Sequence, residues 1–83
     1  MKYELTSHAK QVLAGREISV EWLERTLKAP ELTLPDPDDA EVERRYRRIP
    51  EYGGRVLCVA VNTTVEPIRI VSVFFDRTMK GKL

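Results

Sequence analysis

Arg55-Val-Leu-Cys-Val-Ala-Val-Asn62 is the stretch that decides the fold. Its apolar side chains fall on even and odd positions alike, which leaves no face for water. The run therefore predicts a central strand, covered by helices on at least one side. The segments around it alternate instead. Downstream, Ile68–Arg77 sets Ile68, Ile70, Ser72 and Phe74 on one face and Val71, Val73 and Phe75 on the other. Upstream, Glu43–Ile49 sets Arg44, Tyr46 and Arg48 against Arg45, Arg47 and Ile49. Pro50–Gly54, with two glycines free to take positive φ, and Thr63–Pro67 supply the turns between them. A three-stranded antiparallel meander follows, with Met1–Leu5 as a short lead-in or fourth, edge strand.

Ahead of the meander the periodicity is helical. Thr6 or Ser7 can cap a first helix whose apolar positions are Ala9, Val12 and Leu13, and Gly15 is placed to end it in the left-handed conformation. Ser19 caps a second, with Trp22, Leu23, Thr26 and Leu27 as its buried stripe and Pro30 beyond its end. Helices this short persist only when packed, so the pair reads as a hairpin lying on the sheet. Between hairpin and meander, Pro30–Ala40 carries three prolines and three aspartates and is expected to hold no regular structure over most of its length. The expected fold class is α+β, in one domain over 1–83. It divides into a helical hairpin at 1–29, an acidic proline-rich loop at 30–42, an antiparallel sheet at 43–78 and a basic tail at 79–83.

Composition narrows the function classes. Fourteen Lys and Arg against 13 Asp and Glu leave a formal net charge of +1, which argues against a globally basic nucleic-acid binder. One cysteine, Cys58, excludes a disulfide framework and a multi-thiolate zinc site, and one histidine, His8, excludes His-rich metal sites. No cofactor and no metal are expected. Neither a membrane-length apolar run nor a signal-peptide pattern is present, so a soluble, cytoplasmic chain is expected.

Charge is segregated along the chain. Asp36, Asp38, Asp39, Glu41 and Glu43 run without a base, and Arg44, Arg45, Arg47, Arg48 and Arg55 follow with only Glu51 among them. Guanidinium forks suit phosphate and carboxylate. Three readings are open: a solvated edge strand guarded by charge, an acidic loop folded back on the arginines, or a nucleic-acid surface.

Histidine is the side-chain type that exchanges protons near neutral pH. Arg16 lies eight residues after His8, two helical turns on, so both can face one side. A base beside a cation is the minimum equipment for cleaving RNA internally. The bland alternative is a histidine that caps or packs locally. Cys58, mid-strand, reads as a small buried hydrophobe. Ser72 lacks nucleophile-elbow glycines, and Gly53-Gly54 lacks the helix and lysine of a phosphate loop. Tyr46 and Tyr52, set among arginines, are the better stacking candidates, while Trp22, Phe74 and Phe75 read as core.

The order Leu5-Thr-Ser-His8-Ala9, Arg16-Glu-Ile18-Ser19-Val-Glu-Trp22, Thr26-Leu27 and Pro30 resembles the opening of domain-of-unknown-function family 4258, a bacterial family. Tyr46, Ile49, Gly53-Gly54-Arg55-Val-Leu57, Val59–Asn62, Ile70–Arg77 and Lys80 extend the resemblance over nearly the whole chain. That family in turn resembles, distantly, the RelE/BrnT toxins, which implies a RelE/barnase-like helical hairpin on an antiparallel sheet and metal-independent RNA cleavage. On this resemblance His8, Arg16 and Arg77 are the catalytic candidates. Arg44, Tyr46, Arg48 and Lys80 are helpers by residue type, holding RNA phosphate or a partner. RNA or ribosome-associated RNA would lie across the open sheet face. An antitoxin-like small protein and a second copy of the chain are the other expected partners. The reading that competes with a toxin-like endoribonuclease is a non-catalytic interaction module, using the arginine face and the acidic loop. A nucleic-acid-binding regulator that leaves its target intact is a third.

Overall fold

Thr6 stops an N-terminal strand and starts a helix in one residue. In the computed structural model, which describes residues 2–83, its Oγ1 accepts from the Ala9 amide at 3.1 Å. The element order is β1 (Tyr3–Leu5), α1 (Ser7–Gly15), α2 (Val20–Lys28), β2 (Leu32–Pro35), β3 (Val42–Ile49), β4 (Arg55–Asn62) and β5 (Ile68–Phe75). Ser19 caps α2 by accepting from Glu21 N at 3.1 Å. Both helices and the three long strands stand where the periodicity sets them.

The end of α1 differs from expectation. Gly15 stays helical, and the left-handed residue is Glu17, with φ of 52°. Ile18 N then reaches back to Leu13 O at 3.0 Å, so the chain reverses two residues later than the glycine suggests. Ile18 and Leu13 both enter the core, which draws the turn to that point.

The sheet has five strands in the order β1-β5-β4-β3-β2, and it is mixed. β2, β3, β4 and β5 pair antiparallel in sequence, but β1 lies parallel to β5, with Tyr3 opposite Ile68 and Leu5 opposite Ile70. The expected three- to four-stranded antiparallel meander is corrected in both respects. β2 lies inside the proline-rich stretch read as a loop. It survives there because it is an edge strand and Pro35 is its last residue, where no ladder donor is needed. Leu32 pairs with Tyr46 and Leu34 with Arg44.

β5 also breaks strict alternation. Val61 faces Ile70 and Ala60 faces Ser72, so Val71 is the extra residue of a bulge. Ile70 therefore joins Val73 on the helix side, both fully buried, and Ser72 and Phe74 fall on the other face. The helix-side core gathers Leu13, Ile18, Leu23, Leu27, Leu57, Val59 and Val61. Each such aliphatic side chain contributes about 1.5–3 kcal/mol by leaving water. The opposite face holds a smaller cluster of Tyr46, Val56 and Cys58, with Leu32, Phe74, Met79 and Leu83 packed against it. The tail thus folds back, and the face expected to lie open is covered at its centre.

Candidate functional site

The arginines of β3 are already engaged. On the face away from the helices, Arg44 Nε donates to Asp36 Oδ2 at 3.0 Å, and its guanidinium lies 5.7 Å from the centre of the Phe74 ring. Arg48 reaches Glu31 at 3.4 Å. On the helix side, Arg45 donates to Glu43 at 2.7 Å and to Leu27 O at 2.9 Å, and Arg47 donates to Ala29 O at 2.6 Å. Those carbonyls belong to the last turn of α2 and the residue after it. Two guanidinium groups thus cap the negative end of the helix dipole. Asp36 also organises its own loop, accepting from Asp38 N at 2.8 Å and Asp39 N at 3.2 Å. The Asp38 amide first, and then Arg44, hold its carboxyl below the usual range. The acidic stretch 30–42 therefore does fold back on the arginine strand, through Asp36 to Arg44 and Glu31 to Arg48.

α1 builds a different surface. His8, Val12 and Arg16 follow one another at four-residue spacing and line a cavity of about 250 Å³ with Ile18 and Ser72–Phe75 of β5. Because Thr6 takes the cap, His8 is left exposed at the cavity, as is Arg16 at its other end. His8 and Arg16 thus stand on one face of α1, at the two ends of one cavity.

A second cavity, of about 300 Å³, opens at the end of the sheet and is lined by Arg55, Val56, Phe75, Asp76, Arg77 and Lys80. Phe75 is a wall of both cavities. It packs with Trp22 and Tyr52, ring centres 6.2 and 5.0 Å away, and the Arg55 guanidinium sits 4.8 Å over the Tyr52 ring. Asp76 caps the turn that follows β5, accepting from the Thr78 amide and hydroxyl at 2.9 and 2.6 Å. Among the described residues, Arg16, Arg55, Arg77 and Lys80 have no carboxylate within 4.0 Å.

The catalytic candidates His8, Arg16 and Arg77 thus divide between two adjoining cavities, with Lys80 beside Arg77. Arg44 and Arg48 lie elsewhere, in ion pairs. Tyr46 is 4% exposed and packed against Cys58, so its ring is not offered to a ligand. Burial pushes the Cys58 thiol up to about 12, in keeping with an inert core residue. Arg55 is the site residue that sequence reasoning left unassigned. Its signal was position: as the first residue of β4 after Gly53-Gly54, it comes to the same sheet end as the close of β5, where Asp76 N donates to Val56 O at 2.9 Å. Among the described residues no three His, Cys, Asp or Glu side chains converge as a metal site, and no helix is long and apolar enough to cross a membrane.

A family model described as Domain of unknown function (DUF4258) matches residues 5–75, which span both helices and the whole sheet. Neither the curated proteins nor the solved structures gave a match.

Proposed function

The chain belongs to the DUF4258 family, and we propose that it is a metal-independent endoribonuclease of the RelE-like toxin kind. The observation that carries this reading is His8 and Arg16 lining one cavity, beside a second cavity of unpaired cations. In the proposed reaction His8 takes the proton of an RNA 2′-hydroxyl. The freed oxygen attacks the adjacent phosphorus, and the bond to the 5′-oxygen breaks. The products are a 2′,3′-cyclic phosphate and a 5′-hydroxyl, whose proton comes from water. Arg16 stabilises the charge that grows on the phosphorane. Arg77, Lys80 and Arg55 hold the phosphates that follow, across Phe75. On this toxin-like reading the chain works in the cytoplasm under the control of a small antitoxin-like protein.

The test is tightly controlled induction in a bacterial host, with RNA ends sequenced. The parent is expected to arrest growth and generate 5′-hydroxyl ends. Folded His8→Ala is expected to lose about 10²–10⁴-fold in cleavage rate. Folded His8→Ala and Arg16→Ala proteins that arrest growth and cut RNA as the parent does would remove the assignment.

A further inference from the structure

The cavity of about 300 Å³ at the end of the sheet is not lined as a pure phosphate site. A phosphate would use Arg55, Arg77 and Lys80 and leave the rest of the wall idle. That wall is apolar, formed by half-buried Phe75 and by Val56, which is 1% exposed. Contacts with the Trp22 and Tyr52 rings hold Phe75 in place. Asp76 adds a carboxylate, which repels phosphate but accepts from N–H groups. Arg55 is braced. A 3-10 turn over Pro50–Tyr52 and two glycines at φ of 67° and 71° bring the chain round before β4. The Arg55 guanidinium then lies 4.8 Å from the centre of the exposed Tyr52 ring. Its nearest acid in sequence, Glu51, is taken by Arg25 at 2.8 and 2.9 Å. Arg55 lines the cavity, which places the Tyr52–Arg55 stack at its border.

We infer that this cavity takes an unpaired base of single-stranded RNA, packed against the Phe75 ring and the Arg55 guanidinium, with the flanking phosphates on Arg77 and Lys80. A flat, neutral base uses every part of the lining. Its faces meet the ring and the guanidinium, its N–H donors meet Asp76, and the exposed cations meet the backbone charge. A base inside a duplex has both faces covered by its neighbours and cannot enter. The inference rests on the ribonuclease reading for its ligand class. It adds that recognition is of unpaired bases, through the plane of Arg55 as well as its charge.

The probe is an end-labelled 2′-O-methyl RNA about six nucleotides long, which internal cleavage cannot cut because its 2′-oxygens are blocked. Fluorescence anisotropy compares it with an abasic chain of equal charge and with the same bases closed into a hairpin stem. The parent is expected to bind the single strand about tenfold or more tighter than either. Arg55→Lys keeps the charge and loses the plane, so it is expected to lose most of that preference while the salt dependence stays the same. Equal affinity for the abasic chain, no binding at millimolar RNA, or an Arg55→Lys protein with the parent's preference would each overturn the inference. Cleavage of unmodified RNA is followed separately. A parent that prefers the single strand but cuts nothing keeps this site and removes the ribonuclease reading; a parent that cuts without the preference does the reverse.

Discussion

β3 and the far end of the sheet both carry clustered cations, yet they use them in opposite ways. Arg44, Arg45 and Arg48 have carboxylate partners within 3.4 Å, and Arg45 and Arg47 also cap α2. Arg55, Arg77 and Lys80 share a cavity in which the only acid, Asp76, is turned onto Thr78. Counting residues would rank β3 first as an anion surface. Geometry reverses the order, because an arginine already satisfied by a carboxylate must lose that bond before it can hold a phosphate. Charge density in a sequence is therefore a poor guide to charge that is free to act.

The contrast breaks most sharply through stability. Arg45→Ala is expected to cost about 1–3 kcal/mol, because its bond to Leu27 O ties α2 to β3 and its loss also strips Glu43 of its partner. Arg77→Ala should stay within about 0.5 kcal/mol of the parent. Urea unfolding of both variants measures the gap, and equal costs would erase the distinction between the two regions. Binding is expected to divide in the other direction. With a short single-stranded RNA, Arg77→Ala and Lys80→Ala should each flatten the plot of log affinity against log salt by about one contact, and Arg44→Ala should leave its slope unchanged.

Helix stability can be separated from charge at α1. Gly15 is helical and a methyl group there meets nothing within 4 Å, so Gly15→Ala should add about 0.5–1 kcal/mol, read by thermal unfolding, without altering either cation cluster. The smallest effect belongs to a paired arginine outside β3. Arg25 donates to both carboxylate oxygens of Glu51 at 2.9 and 2.8 Å and pulls its pKa from 4.5 to about 2. A lowered folded-state pKa stabilises fully above about 4.5 and is lost as pH falls through about 2. Glu51→Gln should therefore make stability fall less steeply with acid across that window, followed by circular dichroism.

Much of this was legible locally. Thr6 and Ser19 announce their helices, Arg55–Asn62 announces a central strand, and the i, i+8 spacing of His8 and Arg16 puts them on one face. Three features escaped because each depends on a partner distant in sequence. β2 exists only because β3 receives it, and proline within it misleads until its place at the sheet edge is known. Val71 bulges because β4 opposes it with one residue too few, which no alternation in β5 announces. Glu17 takes the left-handed position because Ile18 must reach the core, although Gly15 looks the better residue for it.

The sequence by itself determined the two helices and the Ser19 cap, the three long strands, the two-sided burial of β4 and the shared face of His8 and Arg16. These follow from side-chain periodicity and local hydrogen bonding, which act over a few residues. Tertiary structure alone decided that β1 runs parallel to β5 and stops short of its end, that the β3 arginines are engaged by carboxylates or by carbonyls at the end of α2, and that Arg55 joins Arg77 and Lys80. Each of those depends on which groups meet across tens of residues, and a guanidinium is free or engaged only by virtue of what folding brings within a hydrogen bond of it.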